Sequence, residues 1–210
     1  MKKALIALLV LGMAAVSQAD IIAQYTFDSS AATSSDTAAL STASALSISA
    51  GTFVYTTTGS TAFGALGATP PAIDRGTWGT GTTFGNSVYW FFTVTVDPGY
   101  VLNVTSFDFL GERTGAGPQT FGWSINGVEQ GNWTPGNTLY ASFTDTPGAE
   151  GLNLQGTVTI GLHAYNATST GNFRVDNVIL NGAIAIPEPG VLALLGLGLG
   201  ALIYVRRNRK

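Results

Sequence analysis

The chain has 210 residues, with nine Lys and Arg against twelve Asp and Glu, one histidine and no cysteine. Disulfides, thiolate metal sites and Cys nucleophiles are therefore excluded, and one histidine cannot furnish a His-based zinc centre. Six of the bases lie in the terminal segments, so between residues 20 and 186 only Arg75, Arg113 and Arg174 face eleven acids, which argues against nucleic-acid binding through phosphate neutralisation.

The first predicted element is a leader over residues 1–19. Lys2 and Lys3 precede an apolar run from Ala4 to Val16, and Ser17, Gln18 and Ala19 place small residues at −3 and −1 of a cut between Ala19 and Asp20. About 13 apolar residues fall short of the ~20 a permanent span requires. Export through the Sec translocon and removal by signal peptidase are expected.

Residues 20–183 read as one all-β domain, with short β-branched and aromatic runs cut by Gly, Asn, Asp and Pro. Strands are predicted over 21–27, 52–58, 88–96, 100–110, 120–126, 138–143, 155–165 and 172–180, and the Ala/Ser/Thr tract 31–47 is expected to be loop. Asp97-Pro98-Gly99 signals a turn, and Asn126-Gly127 a two-residue hairpin leading into Val128 and Glu129. Alternation puts Val158, Ile160, Leu162 and Ala164 on one face and Thr159, His163 and Tyr165 on the other, with His163 facing solvent. Tyr89, Trp90, Phe91 and Phe92 are expected in the core. Eight strands without helices favour a two-sheet antiparallel β-sandwich, jelly-roll-like, flanked by a signal helix and a C-terminal transmembrane helix.

The last segment, 184–210, has three parts. Pro187, Glu188 and Pro189 break any helix and present an extended stretch. Residues 190–205 are apolar and predicted to form a membrane helix of ~24 Å, shorter than the ~30 Å hydrocarbon core. Arg206, Arg207, Arg209 and Lys210 then act as a membrane stop, holding the C-terminus in the cytoplasm and the domain outside it.

This order of Pro-Glu-Pro, short Leu/Gly-rich helix and basic end resembles the PEP-CTERM sorting signal of bacterial exported surface and matrix proteins. The resemblance implies an exosortase-type enzyme that recognises the tail and cuts near residues 187–189. It implies an inner-membrane precursor and a processed form at the cell surface or in the extracellular polymeric matrix of a biofilm. The runs Ser106-Phe107-Asp108, Gly115-Ala116-Gly117-Pro118 and Phe173-Arg174-Val175-Asp176-Asn177-Val178 also resemble the sandwich ectodomains of PEP-CTERM proteins.

Little in the domain reads as catalytic. Nothing in the spacing selects a carboxylate pair for hydrolysis; Asp108 and Glu112 flank a strand end, where pairing with Arg113 or solvation is expected. A serine triad would have to use His163, and Gly122-Trp123-Ser124-Ile125 does not match a Gly-x-Ser-x-Gly elbow. The domain is expected to be non-enzymatic and without a cofactor; a polysaccharide hydrolase is the weakest reading. Calcium takes oxygen ligands, and Asp28 with Asp176 and Asn177 on the terminal strands is where a structural Ca²⁺ is conceivable, although no Asp-rich loop supports it. A carbohydrate-binding, lectin-like role is the alternative, with Trp78, Trp123 and Trp133 beside glycines as stacking rings for an extracellular polysaccharide. Sequons begin at Asn103, Asn132 and Asn166, as a Ser/Thr-rich composition produces by itself, and they predict nothing about occupancy.

Overall fold

The structure, a computed structural model, describes residues 20–57, 71–76, 78, 81–86, 88–136, 140–187 and 198. These hold β1 (Asp20–Tyr25), β2 (Ser41–Ala43), β3 (Ser47–Ile48), β4 (Val54–Thr56), β5 (Ala72–Arg75), β6 (Tyr89–Val96), β7 (Val101–Arg113), β8 (Thr120–Ile125), β9 (Val128–Trp133), β10 (Ala141–Asp145), β11 (Thr157–Tyr165) and β12 (Phe173–Ala185). Short 3-10 turns lie at Phe84–Asn86 and Ala149–Gly151.

Two six-stranded antiparallel sheets pack face to face. Sheet one runs β10-β7-β12-β5-β4 with β1 added on β12; sheet two runs β2-β6-β11-β8-β9 with β3 added on β6. From β6 onward the chain changes sheet at every step except the β8–β9 hairpin. There Asn126 and Gly127 both take positive φ, 50° and 81°, the two left-handed residues a tight primed turn requires.

Period-2 alternation explains the core. In β11, Val158, Ile160, Leu162 and Ala164 are buried between the sheets. In β6, Trp90, Phe92, Val94 and Val96 point inward. Tyr89 and Phe91 fall on the other face and are half-buried, so the expectation that all four aromatics of 89–92 fill the core is corrected by strand geometry. Phe107 stacks on Trp123 at 4.9 Å and Phe121 on Phe173 at 3.9 Å, tying β7, β8 and β12 together across the interior. Each such side chain contributes roughly 1.5–3 kcal/mol by leaving water, which compensates for the lack of disulfides.

The tract 31–47 is not all loop. β2 and the start of β3 lie in it, paired to the edge of β6 by backbone bonds that Ala, Ser and Thr can make without any apolar pattern. β5 likewise arises where the sequence shows no strand signal, because Asp74 and Arg75 make half of its four residues polar. β12 continues to Ala185, past the expected domain limit at 183. No helix among the described residues is long and apolar enough to cross a membrane. The leader 1–19 and all of 190–205 except residue 198 lie outside the described residues.

Candidate functional site

The outer face of sheet two carries a concentration of aromatic and polar side chains. β6, β11 and β8 lie side by side there, with His163 opposite Tyr89 on one neighbour and Gly122 on the other. Gly161 lies opposite Ser124, one alternation away from His163. A Cβ at residue 161 would meet Ser124 Oγ at 2.7 Å and His163 Nε2 at 2.8 Å. Glycine at 161 thus leaves the gap through which Ser124 Oγ and His163 Nε2 approach to 3.0 Å.

Aromatic rings enclose the imidazole. Tyr89 stacks on it at 4.5 Å, and Phe84, from the 3-10 turn, covers it at 3.9 Å. His163 is only 5% exposed, which corrects the solvent-facing expectation: the period-2 pattern placed it on the outer face, but Phe84 closes over that face. Burial lowers its pKa to about 4, so the ring is neutral at pH 7. Nδ1 is buried without a partner. The tautomer that leaves no orphaned N–H has Nε2–H donating to Ser124 Oγ and a lone pair on Nδ1. In that state the histidine gives a hydrogen bond to the serine and does not take its proton. A cavity of about 210 Å³ adjoins the pair, lined by Phe84, Tyr89, Ser124, Gly127, Thr159 and His163. Farther along the face, Tyr165 Oη and Asn132 Nδ2 donate to Glu129 Oε1 at 3.2 and 3.3 Å.

Asp74, Glu112 and Asp108 are tied down elsewhere. Arg174 Nε donates to Asp74 Oδ2 at 3.0 Å while its Nη1 pairs with Glu112. Asn172 Nδ2 donates to both Asp74 oxygens at 3.0 and 2.8 Å. Burial raises the Glu112 pKa and Arg174 opposes the rise. Glu112 therefore pairs with Arg174 on the adjacent strand and not with Arg113, whose side chain points to the carbonyls of Thr114, Gly115 and Pro135. Asp108 accepts from Ser106 and Asn181 at 2.8 Å each.

β1 does lie beside β12, with Tyr25 opposite Val178, which brings Asp28 toward Asp176. Asp176 is fully buried: Oδ1 accepts from the Asn177 backbone N–H at 2.8 Å and Oδ2 has no partner. Burial, reinforced by the Asp28 charge, pushes its pKa up to about 7. Among the described residues no three His, Cys, Asp or Glu side chains converge as a metal cluster.

Of the three tryptophans expected to stack on sugars, Trp78 and Trp123 are buried and Trp133 is partly exposed. Trp78 is buried against Trp90 at 5.0 Å and Phe173 at 5.5 Å. Trp123 is buried as well; it alternates inward with Phe121 and Ile125, and its Nε1 donates to Asp145 Oδ2 at 2.7 Å. Trp133 is half-buried against Phe109 and Phe143. Core packing claims rings that flanking glycines had suggested were free. Nothing in the sequence singles out Phe84 or Gly161, and Ser124 is set aside there for want of an elbow; the parity of β8 puts Ser124 on the His163 face, yet the register that joins them is not written in either strand.

Of the sorting and cleavage residues, Asp20 opens β1 and Pro187 is half-buried two residues beyond β12. Ala19, Glu188, Pro189, Arg206, Arg207, Arg209 and Lys210 lie outside the described residues.

Comparison with known proteins gives distant similarities to solved structures and a local sequence match. Similar solved structures include the CBM36-1 domain of a multidomain xylanase from the hindgut metagenome of Trinervitermes trinervoides, at 13% identity and TM-score 0.44, covering 68% of this chain and 98% of that one. The CBM22-1 xylan-binding domain of Paenibacillus barcinonensis Xyn10C aligns at 12% identity and TM-score 0.44, over 80% of this chain and 98% of that one. A carbohydrate-binding module CBM36 in complex with calcium and xylotriose aligns at 14% identity and TM-score 0.40, over 64% and 92%. No curated protein matches the sequence. Residues 185–210 match the family model described as the PEP-CTERM protein-sorting motif, so this chain carries that motif directly where β12 ends.

Proposed function

We propose that the chain is a non-enzymatic exported protein, anchored as a precursor by its PEP-CTERM tail and processed there for the cell surface or extracellular matrix. The observation that carries the reading is the match at 185–210, which begins on the last residue of the final strand. An exosortase-type enzyme is the partner that motif implies. Orientation follows from charge: bases at both termini stay in the cytoplasm and the acidic sandwich lies outside. Replacing Pro187, Glu188 and Pro189 with alanine should leave the protein in the membrane fraction at precursor size; wild-type release of that variant would end the reading.

A second reading concerns what the sandwich binds. The cavity beside Tyr89, Thr159 and His163 is lined by aromatic rings and hydrogen-bonding groups, the pairing that suits a neutral polyhydroxylated ligand such as a glycan. It takes the place of Trp78 and Trp123, which the core claims, as a stacking surface. In a glycan array the wild type should retain ligands that Tyr89→Ala loses while its fold is kept; a flat wild-type response would dispose of this reading.

Calcium is a third, narrower reading at Asp28 and Asp176. The unpartnered buried Oδ2 of Asp176 fits a cation ligand, and further oxygens would have to come from backbone carbonyls or water. Calcium should then raise the melting temperature of the wild type and not of Asp176→Asn; equal shifts in both would refute it.

A further inference from the structure

Strand β9 gives the outer face of sheet two a second feature. Its ladder with β8 slips by one residue: Trp123 lies opposite Gly131 and Ser124 opposite Glu129, which leaves Gln130 facing no partner. Without that bulge Glu129 and Asn132, three residues apart, would point to opposite faces of the strand. With it both reach the outer face, where Asn132 Nδ2 and Tyr165 Oη donate to Glu129 Oε1 at 3.3 and 3.2 Å.

These side chains surround Gly122, which lies between His163 on β11 and Asn132 on β9. A Cβ there would stand 3.4 Å from Glu129 Oε1, from the Gly131 carbonyl oxygen and from Tyr165 Cε1. The glycine thus keeps a methyl-sized hollow walled by a ring edge, a carboxylate and a carbonyl. The hollow adjoins the cavity, because Ser124 lines the cavity and is the residue opposite Glu129, one strand spacing of ~4.8 Å away.

Glu129 is exposed, and Oε1 takes both donors, which leaves Oε2 for a newcomer. No cation balances it. Arg75, Arg113 and Arg174 are the only Lys or Arg between residues 20 and 186, and they belong to β5, β7 and β12 of sheet one.

We propose that Glu129 sets the ligand class of the cavity site: Oε2 accepts hydrogen bonds from the hydroxyl groups of a neutral sugar that extends from the cavity over Gly122, and its charge turns away glycans bearing carboxylate or sulfate. The inference rests on the reading that the cavity binds a glycan. A carboxylate makes charge-assisted bonds to hydroxyls, roughly twice as strong as neutral ones. A uronate in the same place would meet Glu129 with no base to neutralise either charge, inside the ~8 Å over which charges act at physiological salt.

The test uses the full chain, purified in detergent, on an array of neutral oligosaccharides beside their uronate and sulfated counterparts, at low and high salt. Wild type is compared with Glu129→Gln and with Glu150→Gln, an exposed acid on the 3-10 turn that packs against β7, whose loss changes net charge equally but away from the site. Wild type and Glu150→Gln should bind neutral members several-fold more tightly than acidic ones, with the gap narrowing as salt rises. Glu129→Gln should bind both alike at either salt. Asn132→Lys supplies the missing cation and should raise binding of the acidic members, a gain that damage to the fold cannot mimic. A gap that Glu129→Gln retains, a gap that Glu150→Gln loses equally, or a wild type that favours acidic members would overturn the proposal. Tyr89→Ala separates the two ideas. If it keeps every ligand, or the wild type binds none, the cavity reading fails and this inference with it; if it loses them while Glu129→Gln keeps the wild-type gap, the role of Glu129 alone fails.

Discussion

His163 and Asp176 are both held in their neutral forms by burial, and they pull the pH dependence of stability in opposite directions. Asp176 goes from its ordinary 3.8 to about 7, so the folded chain keeps a proton the unfolded chain has lost. Its contribution is full below pH 3.8 and fades as pH rises toward 7. His163 goes from 6.5 to about 4, so its contribution is full above 6.5 and fades as pH falls through 4. Between pH 4 and 6.5 the two oppose each other. Urea midpoints across that window should be flatter for the wild type than for either variant. Asp176→Asn should lose stability on acidification and His163→Gln should gain it; parallel profiles for all three would show that these groups do not set the slope. The burial behind both shifts was only half legible. Alternation put His163 on the outer face, but nothing in the sequence tells that Phe84 folds back over it.

At the scale of elements, the strands that formed as expected are those whose own side chains make a case for them. β6, β7, β11 and β12 alternate or run apolar, and the positive φ of Asn126 and Gly127 fulfils the hairpin signal. β2, β3 and β5 are strands because a neighbour's backbone pairs with them, and such information resides in the neighbour. The candidate site suffers most from this. Its central contact, Ser124 to His163, depends on the register of β8 against β11 and on the missing side chain at Gly161. Gly161→Ala should cost about 1–3 kcal/mol, the usual range for overpacking a filled site, measured by chemical denaturation. Adding Ser124→Ala should recover part of the loss, since one of the two clashing atoms is then gone. An additive double variant would show that the crowding lies elsewhere.

At the scale of the molecule, the fold gathers its ends. Asp20 pairs with Gly182 and β12 stops at Ala185, so the first and last strands among the described residues begin and finish within a few residues of the same strand end. β12 is also the strand that β1, β5 and β7 all pair with, which means that sheet one is completed only when the last strand before the motif is in place. Anchoring and folding are therefore adjacent events on the chain. The tail's motif was legible in sequence, because proline, apolar run and basic end are local features; the ligand of the sandwich was not, because aromatic residues serve core and surface alike. The most direct measurement of the account is intact mass of the protein recovered from membrane and from medium, in cells with and without the processing enzyme. The account predicts a released form lacking residues 1–19 and the segment from Val191 onward, present only when the enzyme is. Release of the same trimmed form from cells without it, or of a form that still bears residues 191–210, would contradict it.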